Sequence, residues 1–233
     1  MQQNFWHAVW ERDSIGFHQD EVHPFLLKHS EQFFGEIPER DSGRVSPSTT
    51  LSEHIFVPLC GKSLDIVWLA QYFNVTGSEL SEIACRDFFA EHRLSPVVLQ
   101  YTHHQAFQFE NITLWQGDHF SLSKDGLPRF DWIYDRAAII ALPKSMQTKY
   151  ANHLTSFIDD GAKLLLISLE FPEEQLEGPP FPIFNQDVQS LFSGYKIEEL
   201  DHHELPDKQF ARRRFNVDYL IERLYLISSL DES

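Results

Sequence analysis

The stretch "EHIFVPLCGKSLDIVWLA", residues 53–70, constrains the fold more than any other part of the chain. His54-Ile55-Phe56-Val57 reads as a buried strand, and Leu64, Val67 and Trp68 recur at helical spacing from Ser63 onward. Pro58 to Lys62 is therefore a tight strand-to-helix turn, a kind that often cradles a nucleotide. A dinucleotide fingerprint uses three glycines, and a phosphate loop sets Gly-Lys-Ser behind a longer glycine-spaced run. Here Gly61 stands alone, and Lys62 lacks the glycine nest of a phosphate lysine. Any ligand of this turn must have a tail smaller than a pyrophosphate.

The same alternation continues along the chain. A strand over 54–58, a helix over 63–72, a strand over 74–79 and a helix over 81–92 are followed by "SPVVLQYTHHQAFQFENITLWQGD", whose alternation of β-branched and aromatic with polar residues predicts short strands and a hairpin. "FDWIYD" and "AKLLLISLEF" are buried strands flanking a helix at Lys144 to Ile158, and a helix at Asn185 to Phe192 precedes a final antiparallel pair. Strands alternating with helices predict a single α/β domain around a mostly parallel, doubly wound sheet. Ahead of it lie a helix near Asn4 to Arg12, a loop broken by Gly16 and Pro24, a helix from Pro24 to Phe34, and the Ser/Thr/Pro/Gly-rich "GEIPERDSGRVSPSTTLSE", a mobile surface excursion. We divide the chain into an N-terminal helical extension and lid, 1–53, and a core, 54–233, within one domain.

Charge excludes several partners. Lys and Arg number 19 against 35 Asp and Glu, a formal charge of −16, which repels nucleic acid and anionic membranes. No apolar run reaches the roughly 18 residues of a membrane span, and the N-terminus lacks signal-peptide order. The expectation is a soluble, cytoplasmic monomer with Cys60 and Cys85 reduced. The 12 histidines suggest metal, but the adjacent pairs His103-His104 and His202-His203 fall on predicted strands, where neighbours face opposite ways, so no metal site is expected.

In sheets of this kind ligands sit beyond the carboxyl ends of the strands. Glu79, 18 residues past Gly61, is placed to accept both hydroxyls of a ribose whose tail lies over the first turn, while Ser81 is available to cap the next helix. One glycine at the turn suits a nucleoside with a compact zwitterionic tail, and S-adenosyl-L-methionine is such a ligand. Arg136, behind Asp135 at a strand end, needs anionic company if it lies in a cleft, which a bound thiolate or carboxylate could supply. Trp6 and Trp10 share a helix face, and with Phe17 they suit a lid that shields a sulfonium and stacks an aromatic substrate. His18 is a candidate substrate contact and His23 a weaker one. Arg212-Arg213-Arg214 form the one basic run, read as a solvated loop with an anion at the rim as the alternative.

Together "FWHAVWERDSIGFHQDEVHPFL", "FVPLCGKSLDIVWLA", "GSELSEIACRDFF", "FDWIYDRAAIIALP", "GPPFPI" and "LIERLYLI" resemble the bacterial thiopurine S-methyltransferases, a branch of the class I S-adenosylmethionine-dependent methyltransferases. The resemblance implies a Rossmann-like seven-stranded sheet with an antiparallel C-terminal strand. It places Trp10, Leu59, Glu79 and Arg136 around the cofactor, next to the Gly61 of the turn already read as its seat, Asp118 and His119 along the adenine, and Phe17 against cofactor and substrate. "QYFNVTGSELS" departs from the family by one missing residue and by Ser78 in place of the usual valine before the glutamate, which weakens the second strand.

Methyl transfer to a soft nucleophile needs near-attack geometry and exclusion of water more than it needs a base. With an ionised aromatic or heterocyclic thiol as acceptor, Arg136 serves anion stabilisation and orientation. Three other readings stay open: a methyltransferase for halide, sulfide, selenium or tellurium species, a non-catalytic nucleoside-binding domain, and a nicotinamide-dependent oxidoreductase, which the missing glycines disfavour.

Overall fold

The computed structural model describes residues 3–35 and 51–230. The bulk of the expected surface excursion, 36–50, lies outside the described residues. In chain order the elements are α1 (Gln3–Glu11), α2 (Pro24–Phe34), β1 (His54–Val57), α3 (Leu64–Leu69), β2 (Asn74–Glu79), α4 (Glu82–Glu91), β3 (Val97–Gln100), β4 (Gln105–Phe109), β5 (Ile112–Gln116), β6 (Trp132–Arg136), α5 (Lys144–Ile158), β7 (Lys163–Glu170), α6 (Asn185–Leu191), β8 (Lys196–Glu204), β9 (Gln209–Phe210), β10 (Arg213–Arg214) and β11 (Ile221–Ser228).

The main sheet has nine strands in the order β3-β4-β5-β2-β1-β6-β7-β11-β8. Its centre, β5-β2-β1-β6-β7, is parallel throughout. β11 inserts antiparallel between β7 and β8. The seven expected strands are therefore present, and the predicted hairpin, β3 with β4, extends the sheet beyond β5. The second strand is not weakened by its serine: β2 pairs with β5 in register from Val75 to Glu79.

Strand alternation fills two cores. Phe56, Ile133, Leu164 and Leu166 pack with Tyr150 and Leu154 of α5 and Val188 of α6. Their neighbours Ile55, Val57, Trp132, Tyr134, Leu165 and Ile167 turn to the other face, against Phe25 and Leu26 of α2, Ile66 and Leu69 of α3, and Cys85 and Phe88 of α4. Helices thus cover both faces, which is why the central strands are apolar on successive residues. The chain winds β1-β2-β5 to one side and β6-β7 to the other, so the strand order reverses between β1 and β6.

α3 is shorter than its periodicity suggests. The Asn111 amide donates to the carbonyls of Ala70 and Phe73, both at 2.7 Å, and turns the chain into β2 soon after Leu69. His103 and His104 also depart from expectation, lying in the connection between β3 and β4 rather than on a strand. Cys60 and Cys85 are free thiols, both buried.

Candidate functional site

The turn after β1 folds back over β2. Cys60 N donates to Ser78 O at 2.9 Å, Leu59 N to Ser78 Oγ at 3.2 Å, and Gly61 N to Glu79 Oε2 at 2.8 Å. Leu59 and Gly61 have positive φ, 47° and 54°, which for a residue with a Cβ costs on the order of 1 kcal/mol. The turn lies so close to β2 that a Cβ on Gly77 would stand 2.7 Å from Cys60 Sγ and 2.6 Å from Leu114 Cδ2. Glycine at 77 is what lets the turn descend onto the strand.

This descent leaves a cavity of about 600 Å³ at the carboxyl ends of the strands, at the point where strand order reverses. Trp10, Phe17, His18, Leu59, Gly61, Glu79, Asp118, His119 and Arg136 all line it. Glu79 is 6 % exposed, and its carboxylate takes amides only, Gly61 N on Oε2 and Ser81 N on Oε1. Burial raises its pKa, and the amide bonds oppose that rise. Each oxygen keeps a lone pair for a ligand donor. Ser81 caps α4, its hydroxyl accepting from Ala84 N, so the capping role falls to it and not to Glu79.

Arg136 has carboxylate company from its own chain. Its Nε donates to Asp65 Oδ2 at 2.9 Å and its Nη2 to Ser63 Oγ at 2.7 Å. Asp65, 1 % exposed, also accepts from Tyr134 Oη at 3.1 Å and from His23 N at 2.9 Å. The anion that the sequence reading assigns to a ligand is Asp65 instead, because Asp65 on α3 and Arg136 at the end of β6 meet across the sheet reversal. Two of the five guanidinium N–H donors are used in these bonds, and the remainder belong to a group lining the cavity.

At the other end of the cavity a 3₁₀ turn, His119–Ser121, follows Asp118, whose carboxylate accepts from Phe120 N. The His119 ring is 3 % exposed, stacks with Phe56 at 6.0 Å and lies against Tyr150 and His153. Burial, then the His153 charge, lowers its pKa to about 3, so the ring is neutral at physiological pH. Its Nδ1 bonds Ser78 Oγ at 2.8 Å, while its Nε2 is buried without a partner.

Trp6, Trp10 and Phe17 form the roof. Phe17 meets both indoles edge-on, at 5.6 Å and 5.7 Å, and Trp10 with Ile15 packs onto Ala84 of α4. Beside them His18 has its pKa lowered, first by burial, then by Arg212 and Lys62. Lys62 holds Glu91 at 2.5 Å, which makes it an ion-pair lysine. His23 stays outside the cavity; its Nδ1 caps α2 and its Nε2 meets Glu222 at 3.1 Å. The basic run divides: Arg212 pairs with Asp20, whereas Arg213 lines the cavity, donating to Pro179 O at 3.3 Å and lying 5.0 Å from the Phe215 ring centre.

The outer wall is made by Met146, Lys149, Pro179, Pro180, Phe210 and Phe215. Pro179 and Pro180 fall in the stretch after a core strand where ligands of such sheets sit, and in "GPPFPI", whereas sequence reasoning missed Met146, Lys149, Phe210 and Phe215. Among the described residues no group of three His, Cys, Asp or Glu could hold a metal ion, and no helix is long and apolar enough to cross a membrane.

A family model described as Thiopurine S-methyltransferase (TPMT) matches residues 1–229. The thiopurine S-methyltransferase of Photobacterium profundum is 40% identical over 228 residues, covering 97% of this chain and 99% of that one. The enzyme of the same name from Pseudomonas aeruginosa is 38% identical over 229 residues, 97% and 99% of the two chains. Among solved structures, an S-adenosylmethionine-dependent methyltransferase from Anabaena variabilis superposes with a TM-score of 0.64 at 14% identity, over 97% of this chain and 94% of that one. The 1,6-didemethyltoxoflavin-N1-methyltransferase of Burkholderia thailandensis, solved with S-adenosylhomocysteine, gives 0.61 at 11% identity, over 97% and 87%. The latter two likenesses concern the fold.

Proposed function

The chain belongs to the thiopurine S-methyltransferase family, whose chemistry is S-adenosyl-L-methionine-dependent S-methyl transfer, and from that premise we propose that its acceptors are aromatic or heterocyclic thiols taken as thiolates, thiopurines among them. The observation that carries the reading is Glu79, a buried carboxylate held by amides alone, facing the same cavity as the rings of Trp6, Trp10 and Phe17. A ligand with ribose hydroxyls and a positive sulfur fits both ends: the hydroxyls take the free lone pairs of Glu79, and the sulfonium is attracted to aromatic rings.

In this reading Leu59, Gly61 and Glu79 hold the ribose and the methionine tail, Asp118 and His119 flank the adenine, and Trp10 closes over them. The cofactor supplies, when bound, an electrophilic methyl on sulfur. Arg136, fixed by Asp65 and Ser63, turns its unused N–H donors toward the acceptor and steadies its negative sulfur. Because a thiolate arrives already ionised, no side chain has to remove a proton. Phe17 and His18 border the acceptor. Arg213, with Phe210, Phe215 and the Pro179-Pro180 wall, shapes the outer lobe, and its apolar surface favours an aromatic ring over a bare inorganic anion. We further propose that residues 1–53 act as the lid of a single domain and that the enzyme works as a cytoplasmic monomer.

Two measurements test this. Glu79→Ala should weaken S-adenosylhomocysteine binding by about 1 to 3 kcal/mol in a calorimetric titration; unchanged affinity removes Glu79 from the site. Labelled methyl donor offered with aromatic thiols, heterocyclic thiols, sulfide, halide and selenite should give product fastest with the ring thiols. Preference for the inorganic anions would reassign the acceptor, and binding without turnover on any of them would leave a sensor domain.

A further inference from the structure

Ser78 sits between two walls of the cavity and touches both. It is 1 % exposed at the end of β2, on the opposite strand face from Gly77. Its Oγ accepts from Leu59 N at 3.2 Å, at the strained turn after β1, and lies 2.8 Å from Nδ1 of His119, after β5. A serine hydroxyl carries one proton. With a lone pair occupied by Leu59 N–H, that proton has Nδ1 as its one acceptor among the described residues. Nε2 of His119 is without a partner in either tautomer, but the reverse arrangement, Nδ1–H donating to Oγ, would leave the buried hydroxyl proton unpaired as well, at a further cost comparable to a lost hydrogen bond. An apolar side chain at this position would orphan the Leu59 amide and Nδ1 together.

We propose that Ser78 is a positioning residue of the cofactor pocket, whose hydroxyl ties the Leu59 turn to the His119 ring and holds that ring in its Nε2–H tautomer. The inference rests on the cofactor reading of the cavity given above. It adds a residue that touches neither donor nor acceptor: Ser78 sets the spacing between the wall assigned to the methionine tail and the wall assigned to the adenine. It also decides whether the buried Nε2 of His119, beside His153, is a donor or a bare acceptor. The neutral state of the imidazole is what makes a single tautomer possible across physiological pH.

The test uses the full chain as wild type, Ser78→Ala, His119→Phe and the double variant, with S-adenosylhomocysteine titrated calorimetrically and the histidine rings read by two-bond proton–nitrogen spectra. Ser78→Ala should lower affinity about five- to tenfold, the size expected for lost neutral hydrogen bonds. Most of that loss should vanish in the His119→Phe background, because the two residues act as a pair. Wild-type His119 should show the Nε2–H pattern at neutral pH. An affinity for Ser78→Ala within about twofold of wild type, effects of the two substitutions that simply add, or a wild-type Nδ1–H pattern would each overturn the proposal. The ring spectrum decides even if Ser78→Ala fails to fold. Should the wild type take no S-adenosylhomocysteine, the cofactor reading fails, while the spectrum still tests the Ser78–His119 bond by itself.

Discussion

The indole of Trp10 rests on the bare α-carbon of Gly61: a Cβ there would meet Cζ2 at 3.3 Å and Cη2 at 3.6 Å. The single glycine of the first turn therefore serves the roof as well as the turn, since the same residue has positive φ and receives the indole. Gly61→Ala should cost about 1 to 2 kcal/mol from backbone strain and should also lift Trp10. Thermal melting reads the first effect, and a red-shifted tryptophan emission the second. An unshifted spectrum would mean that the indole does not depend on this contact.

Arg136 and Asp65 form a buried pair, with side chains 7 % and 1 % exposed. Removing one partner leaves the other charged in a dry place. Arg136→Met should therefore destabilise the fold by about 3 kcal/mol as well as abolish turnover. Adding Asp65→Asn should recover much of the stability and none of the activity. If the double variant is no more stable than the single one in chemical denaturation, the pair is not the source of the loss.

Asp135 gives a pH signature. It is fully buried, accepts from Tyr150 Oη at 2.7 Å and from Ala138 N and Ile139 N, and burial raises its pKa from 3.8 to about 6. Below the unfolded value both states are protonated, and the contribution of the neutral buried acid is fully present. As pH rises toward 6 the unfolded chain ionises first, so that contribution is lost. Asparagine keeps an acceptor for the two amides and cannot ionise. The stability of wild type relative to Asp135→Asn should fall between about pH 4 and pH 6 and stay level above. A flat difference across that window would show that Asp135 ionises normally.

These elements differ in how far the sequence announced them. Glu79, Gly61 and the strand-to-helix turn stand out because their spacing repeats a local geometry, and α5 runs from Lys144 to Ile158 as its periodicity predicts. Asp65 and Tyr134 carry no such mark: one lies within a helix and the other within a strand, and their partnership with Arg136 exists only after the sheet has formed. Ser78 reads as a flaw in an apolar strand until Leu59 and His119 are seen on either side of it. The arginine run misleads for a related reason. On β10 both arginines are exposed, yet successive side chains face opposite ways, so Arg213 lines the mouth of the cavity and Arg214 does not.

The roof itself should be dynamic. Residues 3–20 hold the core through Trp10 and Ile15, while Phe5 remains 41 % exposed. Hydrogen exchange in this segment should slow when S-adenosylhomocysteine binds, because the rings gain packing partners. Arg212→Ala, which cuts the exposed pair with Asp20, should speed that exchange while leaving the melting temperature nearly unchanged. Equal, strong protection with and without ligand would make the segment a permanent part of the core.

The cavity takes Gln3, Phe5 and Trp6 from one end of the chain and Phe210, Arg213 and Phe215 from the other, and Arg212 N donates to Gly16 O where the two ends meet. During synthesis the first helix leaves the ribosome early and waits for the rest. A nascent chain that has already paired β1, β2, β5 and β6 owns the turn and the acidic residue beneath it, yet has no outer wall. Ligand cannot be fully enclosed until the β9–β10 hairpin, Gln209 to Arg214, emerges long after β6 has ended at Arg136, and a chain clipped at either terminus would be left with an open basin.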